Sequence, residues 1–345
     1  MSIKLLLSSC LSTSEIAELR AWVWLPPMPR ASSAGIVSRS ELAQALTMIL
    51  FHGLVRRVPV ARTYICEVVA RGEKVVFDHG AIRTVLWPSG RLPVGQSAFA
   101  RLLGPLGYVV REEYPLPRLR MTGRSWCHED EPEGLAQFFV SELHPEQFSA
   151  ALQEIVTRVL ATSRDPLTEA DLADLSTLGE ERALPVDRAC ALLPALVRCF
   201  DRQHDLITLA DYETLRSESP EMAWIATEGN AFNHATDRVR DVVAVAAEQR
   251  RLGRPIKDRV EVSRSGRVRQ TAFHAAGVER EFLDGNRYVV RTVPGSFYEF
   301  ISRSPLPGKR TEPRIDLAFD AGNATGIFAM TAGSPAAQAA EVLGS

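Results

Sequence analysis

The chain has 345 residues, of which 46% are hydrophobic and 24% charged, with a formal net charge of −2. Such a length suits two domains, or one duplicated domain carrying an insertion, in an ordinary globular protein. The near-neutral charge argues against nucleic acid or an anionic membrane as partner, and no apolar run reaches membrane-spanning length.

Cys10, Cys66, Cys127, Cys190 and Cys199 are odd in number and lack metal-type Cys-x-x-Cys spacing. They read as the free thiols of a cytoplasmic protein, not as a disulfide framework or a zinc site.

Residues 1–37 are expected to be a poorly structured N-terminal extension. Lys4-Leu5-Leu6-Leu7 is too short for a signal peptide. Translation starting near Met28 and a short docking tail are the two readings of this segment. Ser38-Arg39-Ser40-Glu41 has capping-box spacing, and Leu42, Ala45, Leu46, Ile49 and Leu50 follow at helical spacing.

The elements that set the fold come next. A strand is predicted over Val75–Leu86 and a helix over Gly95–Leu103, stopped by Gly104-Pro105. Strands follow over Tyr108–Tyr114, Leu119–His128 and Leu135–Leu143, giving the order βαβββ for residues 38–144. Residues 145–225 break this pattern with three or four helices and read as a helical insertion. A second series occupies 226–330: strand Ala231–Val239, helix Asp241–Leu252, then strands Val260–Ser263, Val268–Ala275 and Tyr288–Ile301, the last broken near Pro294-Gly295. Ile315–Phe319 and Gly326–Met330 suggest short closing strands, and 331–345 reads as a tail, frayed over Ala336–Ser345. The fold class is α+β: two βαβββ modules pairing edge to edge into a half-open barrel, with the first strands facing inward.

The first strand of each series carries the candidate chemistry. In Phe77-Asp78-His79-Gly80-Ala81-Ile82-Arg83, alternation puts His79, Ala81 and Arg83 on one face and Asp78, Gly80 and Ile82 on the other. Taken alone, this reads as a satisfied core histidine. Asn230-Ala231-Phe232-Asn233-His234-Ala235-Thr236-Asp237-Arg238 repeats the shape, with histidine after an aromatic and a small polar residue. Glu299, between aromatics in an apolar strand, needs a cation or a metal; a salt bridge to Arg303 is the bland alternative. His79, His234 and Glu299 together make a two-histidine, one-carboxylate triad, which favours non-haem Fe(II) with coordination positions left open. Ligand types alone admit zinc or manganese. Arg83 is the candidate clamp for a substrate carboxylate beside the metal. Arg238, its symmetric counterpart, reads as a surface ion pair with Asp237.

Phe-Asp-His-Gly-Ala-Ile-Arg-Thr-Val at 77–85, Phe-Phe-Val-Ser-Glu-Leu at 138–143, Asn-Ala-Phe-Asn-His-Ala-Thr at 230–236 and Phe-Tyr-Glu-Phe-Ile-Ser-Arg at 297–303 closely resemble motifs of the 2-oxoadipate dioxygenase/decarboxylase family. The resemblance spans roughly 38–330 and implies a vicinal-oxygen-chelate fold. It also implies Fe(II) bound by His79, His234 and Glu299, and a substrate carboxylate held by Arg83. The implied reaction converts 2-oxoadipate and dioxygen to 2-hydroxyglutarate and carbon dioxide, in lysine breakdown. Bacterial members run on well past the glutamate strand with a segment that helps shape the substrate pocket; here the sequence ends at Ser345, which leaves the particular 2-oxo acid open. Two other classes compete. A glyoxalase-like isomerase or lyase would normally use four protein ligands, and a non-enzymatic ligand-binding module would lack metal ligands.

Overall fold

The computed structural model describes residues 2–26, 35–306 and 314–320. The N-terminal segment corrects the expectation of a poorly structured extension over 1–37. It forms helices α1 (Ser2–Ser8) and α2 (Thr13–Trp22), the second capped by a Ser12–Glu15 capping box. Leu6, Leu7, Ile16, Leu19 and Trp22 are all buried. Helices this short have little stability of their own, so their order comes from tertiary packing, which the local pattern does not display. Trp24 N–H and the Val75 carbonyl, 2.8 Å apart, tie the segment to the entrance of the central sheet. Met28 and its surroundings lie outside the described residues.

Strand β1 (Ile36–Ser38) leads into α3 (Arg39–Arg57), whose Ser38 cap and Glu41 form the expected capping box. Helix α4 (Pro59–Ala70) follows. The first repeat then reads β2 (Phe77–Val85), α5 (Ser97–Leu103), β3 (Tyr108–Leu116), β4 (Met121–His128) and β5 (Gln137–Leu143), which is βαβββ. The connecting region contains α6 (Ala150–Ala161), α7 (Glu169–Glu181), β6 (Ala183–Pro185), α8 (Val186–Arg198), α9 (Leu209–Glu218) and α10 (Pro220–Glu228). Strand β6 pairs with β1, so this region also packs back on the N-terminal helices.

The second repeat comprises β7 (His234–Arg238), α11 (Val242–Arg251), β8 (Glu261–Val262), β9 (Val268–Ala272), β10 (Gly277–Asp284), β11 (Arg287–Pro294) and β12 (Phe297–Arg303). The strand expected over Tyr288–Ile301 is two strands, divided at Gly295. Strand β11 leaves the main sheet to pair with β10, which the sequence reading missed. This hairpin docks on the helices through Phe282, whose ring lies 4.8 Å from Tyr212.

Among the described residues the main sheet runs β3-β4-β5-β2-β7-β12-β9-β8, curled into a half-open barrel. Its halves are equivalent: β2 pairs parallel with β5, β7 pairs parallel with β12, and β2 and β7 meet antiparallel at the centre. Both first strands therefore line one concave face. Gly80 lets them close up, because a Cβ there would stand 2.3 Å from the Phe232 ring.

Residues 314–320 do not form the expected closing strand. They make one bridge, Pro305–Ile315, and otherwise cross the barrel mouth as an irregular strap. Two backbone bonds, Leu306 N–H to the Arg314 carbonyl and Asp316 N–H to the Ser304 carbonyl, hold its start, and side chains hold the rest: Arg303 Nη1 donates to the carbonyls of Asp316 and Ala318, and Tyr114 Oη accepts from Phe319 N–H. The expected strand at 326–330 and the tail 331–345 lie outside the described residues.

Candidate metal centre and active site

Three strands bring His79 (β2), His234 (β7) and Glu299 (β12) together. One ligand atom from each lies within 4.8 Å of the others. The parallel pairing of β7 with β12 sets Phe297 opposite His234 and Glu299 opposite Thr236. Alternation then turns His234 and Glu299 to the same concave face.

The ligand atoms are prepared on both sides. A β-bulge in β2 at Asp78 breaks the alternation expected there. The Asp78 carboxylate lies 2.9 Å from His79 Nδ1, leaving Nε2 to face the site. His79 Nε2 lies 3.1 Å from Thr236 Oγ1 and 3.7 Å from Glu299 Oε1. Burial alone would raise the Asp78 carboxyl, but Arg303 and His79 outweigh it and hold it well below the ordinary carboxylate range. Arg303 therefore pairs with Asp78, not with Glu299 as the bland reading had it.

Glu299 is buried, and burial pushes its carboxyl up to about 8. Burial also lowers both histidines, His234 well below its ordinary value, with His79 and Arg83 adding to the effect. Both imidazoles are thus biased toward the neutral form, the form that binds a metal. His234 Nδ1 is buried without a hydrogen-bond partner. An orphaned imidazole nitrogen, a second imidazole oriented by a carboxylate and a buried glutamate fit a divalent transition metal.

The halves of the barrel differ at one decisive position. Ala81 pairs with Phe139 as Thr236 pairs with Glu299, so Phe139 holds the place in the first half that Glu299 holds in the second. Where a four-ligand site would have its last donor, this cavity has an aromatic ring. A metal held by these three side chains would keep positions free for exogenous ligands.

The cavity beside the triad measures about 750 Å³ including its open mouth. Leu116, Leu119, Met121, Phe139 and Phe319 form its apolar wall, and the Phe319 ring stands 4.7 Å from that of His79. Arg83 also lines it, fully buried. Its guanidinium pairs with Glu221 and stacks 5.3 Å from the Trp224 ring. Both partners come from α10, which the sequence reading did not distinguish; Glu221 and Trp224 at i,i+3 on one helical face were the available signal. Arg238 departs from its expected pairing with Asp237. It lies 3.7 Å from Asp78 and donates to the Glu133 carbonyl, while Asp237 accepts from Tyr64 O–H and Val76 N–H.

A half-barrel of two βαβββ repeats with an inward His-His-Glu cluster defines a protein of the glyoxalase-like fold with a candidate metal site. A family model described as 2-oxoadipate dioxygenase/decarboxylase matches residues 60–329, and the chain belongs to that family. A 2-oxoadipate dioxygenase/decarboxylase of Oryza sativa is 27% identical over 302 residues, covering 80% of this chain and 74% of its own. A crystal structure of a protein from Ralstonia eutropha JMP134, described as of the glyoxalase superfamily, is 53% identical. It covers 92% of this chain and 98% of its own, with a TM-score of 0.88. The hydroxyglutarate synthase of Oryza sativa, solved in complex with 2-oxoadipate, shares the fold at 22% identity and a TM-score of 0.65, covering 90% of this chain and 97% of its own. No helix among the described residues is long and apolar enough to cross a membrane.

Proposed function

We propose that this protein is an Fe(II)-dependent, decarboxylating dioxygenase of 2-oxo acids. Its substrate is 2-oxoadipate, and its products are 2-hydroxyglutarate and carbon dioxide, a step of lysine breakdown. The observation that carries this reading is the three-ligand centre with Phe139 in place of a fourth donor, in a chain of this family.

Fe(II) held by His79, His234 and Glu299 would supply dioxygen activation and a template for the 2-oxo acid. Asp78 keeps the His79 Nδ1 proton in place, so Nε2 keeps its lone pair for a metal. Arg83, oriented by Glu221, offers its remaining N–H groups to the carboxylate at the reacting end. The apolar wall and Phe319 keep water from the reacting carbons.

The Phe139 position counts against the glyoxalase-like isomerase or lyase, and the intact triad counts against a binding module without metal. The test is an oxygen-electrode assay on protein reconstituted anaerobically with Fe(II). Oxygen uptake on adding 2-oxoadipate, exceeding that with 2-oxoglutarate and matched by 2-hydroxyglutarate, is the expected result. Tight metal binding with no uptake on either acid overturns the proposal.

A further inference from the structure

The two halves of the barrel differ at a second position. Asp78 stands immediately before His79 and Asn233 immediately before His234, so a carboxylate and an amide hold matching places in the two repeats. Asp78 is fully engaged, by His79 Nδ1 and by Arg303. Asn233 is not. It is 4% exposed, and its Oδ1 is buried without a hydrogen-bond partner. No hydrogen bond among the described residues engages its Nδ2. Nor does the amide orient the neighbouring histidine as Asp78 does, because His234 Nδ1 is itself unpartnered.

The backbone of Asn233 is fixed on both sides. Its N–H donates to the Ala81 carbonyl and its carbonyl accepts from Phe297 N–H, each at 2.9 Å. The residue is thus wedged between β2 and β12, with the side-chain amide as its uncommitted polar group. Asn230 shows the contrast: its Nδ2 donates to the Cys199 carbonyl. Asn233 lines the cavity, as do Arg83 and Ser141, which stand opposite each other on β2 and β5. Ala81 lies two places before Arg83, on the same face of β2. These residues give the cavity a polar recess beside His234, unlike the apolar wall of Leu116, Leu119 and Met121.

A buried amide without a partner is costly, and such groups are normally satisfied. One that stays unpaired in the ligand-free protein and lines a cavity is suited to a ligand. A half-turn exchanges the two ends of an amide with little change of shape, so Nδ2 can be presented to an anion. We propose that Asn233 is a substrate-binding residue, whose Nδ2 donates to the carboxylate at the reacting end of the 2-oxo acid, with Ser141 beside it. This rests on the 2-oxo acid reading of the site. The Arg83 guanidinium is already matched by Glu221, whereas the amide donor is neutral and has no competing partner.

Affinities for 2-oxoadipate and 2-oxoglutarate are measured calorimetrically on the Fe(II)-loaded protein without oxygen, and Fe(II) affinity by anaerobic titration. Asn233→Leu, similar in size and apolar, should weaken 2-oxoadipate about 10-fold, or about 1.4 kcal/mol. The loss for 2-oxoglutarate should agree within twofold, because the two acids share the reacting end. Fe(II) affinity should stay within twofold of the wild type. Asn233→Ala should behave alike, which separates loss of the donor from crowding by leucine. Unchanged acid binding in both variants overturns the assignment and leaves the 2-oxo acid reading intact. So does an equal fall in Fe(II) affinity, which would make Asn233 a support for His234. Loss for one acid alone would move the contact away from the reacting end and also overturns it. Wild-type protein that binds neither acid defeats the 2-oxo acid reading, and this assignment with it.

Discussion

Asp78 decides the state of His79 before any metal arrives. It fixes the Nδ1 proton of one ligand and also neutralises Arg303, whose side chain is fully buried. Asp78→Asn keeps the shape and removes the charge. We expect metal affinity to fall roughly 10–100-fold, as for other outer carboxylate partners, measured by anaerobic Fe(II) titration; unchanged affinity would mean that His79 is oriented by other contacts. Glu299 gives a second expectation. With its carboxyl at about 8 in the metal-free protein, metal must displace a proton. Apparent affinity should therefore rise as pH increases and level off above about 8, and a flat profile between pH 6 and 8 would contradict this. The clustering of His79, His234 and Glu299 was legible in the sequence because the Phe-x-His pattern occurs twice and Glu299 stands alone among aromatics. The role of Asp78 was not, because strict alternation points it away from His79 and the bulge that reverses this leaves no local mark. Glu221 was equally hidden, since its meeting with Arg83 is long-range.

Among elements, β5 is where the two halves of the barrel part company. Phe139→Glu would place a carboxylate at the position equivalent to Glu299. The expected outcome is a protein that keeps or tightens its metal, as judged by equilibrium dialysis, and loses oxygen uptake with 2-oxoadipate. Retained uptake would show that the vacant ligand position lies elsewhere. The paired βαβββ order was legible because its strands are apolar, short and separated by Gly and Pro. The N-terminal helices were not, since a seven-residue helix has too few turns to display an apolar stripe. Leu19 on α2 is completely buried. Leu19→Ala should destabilise the protein by roughly 2–5 kcal/mol in denaturant unfolding; a change below 0.5 kcal/mol, taken as roughly the noise for surface substitutions, would show that α2 adds nothing to the core. The β10 strand was missed for a different reason: it mixes charged Glu279, Arg280 and Glu281 with its apolar residues, and Phe282 and Val293 of the hairpin are buried only by long-range packing on the helices.

For the molecule as a whole, the central strands, the helices over them and the strap act as one closure around the cavity. Asp237 reports on the core beneath it. Burial raises its carboxyl to about 7, so the folded state holds this proton more tightly than the unfolded chain does. Its contribution to stability is complete below about pH 4, near the unfolded value, and is lost as pH rises through about 7. Asp237→Asn cannot titrate, so the wild type should lose more melting temperature than this variant between pH 5 and 8; parallel curves would place the proton elsewhere. Above this core, Arg303 connects the Asp78–His79 pair to the strap that sets Phe319 against the site. Under the proposed reaction, both atoms of dioxygen end in the shortened acid. The most direct measurement is turnover of 2-oxoadipate under ¹⁸O₂ by the Fe(II)-loaded protein, with mass spectrometry of the product. The account predicts 2-hydroxyglutarate carrying two labelled oxygens, one in the new carboxylate and one in the hydroxyl, with one carbon dioxide released per product. An unlabelled product, or one that retains all six carbons, would contradict it.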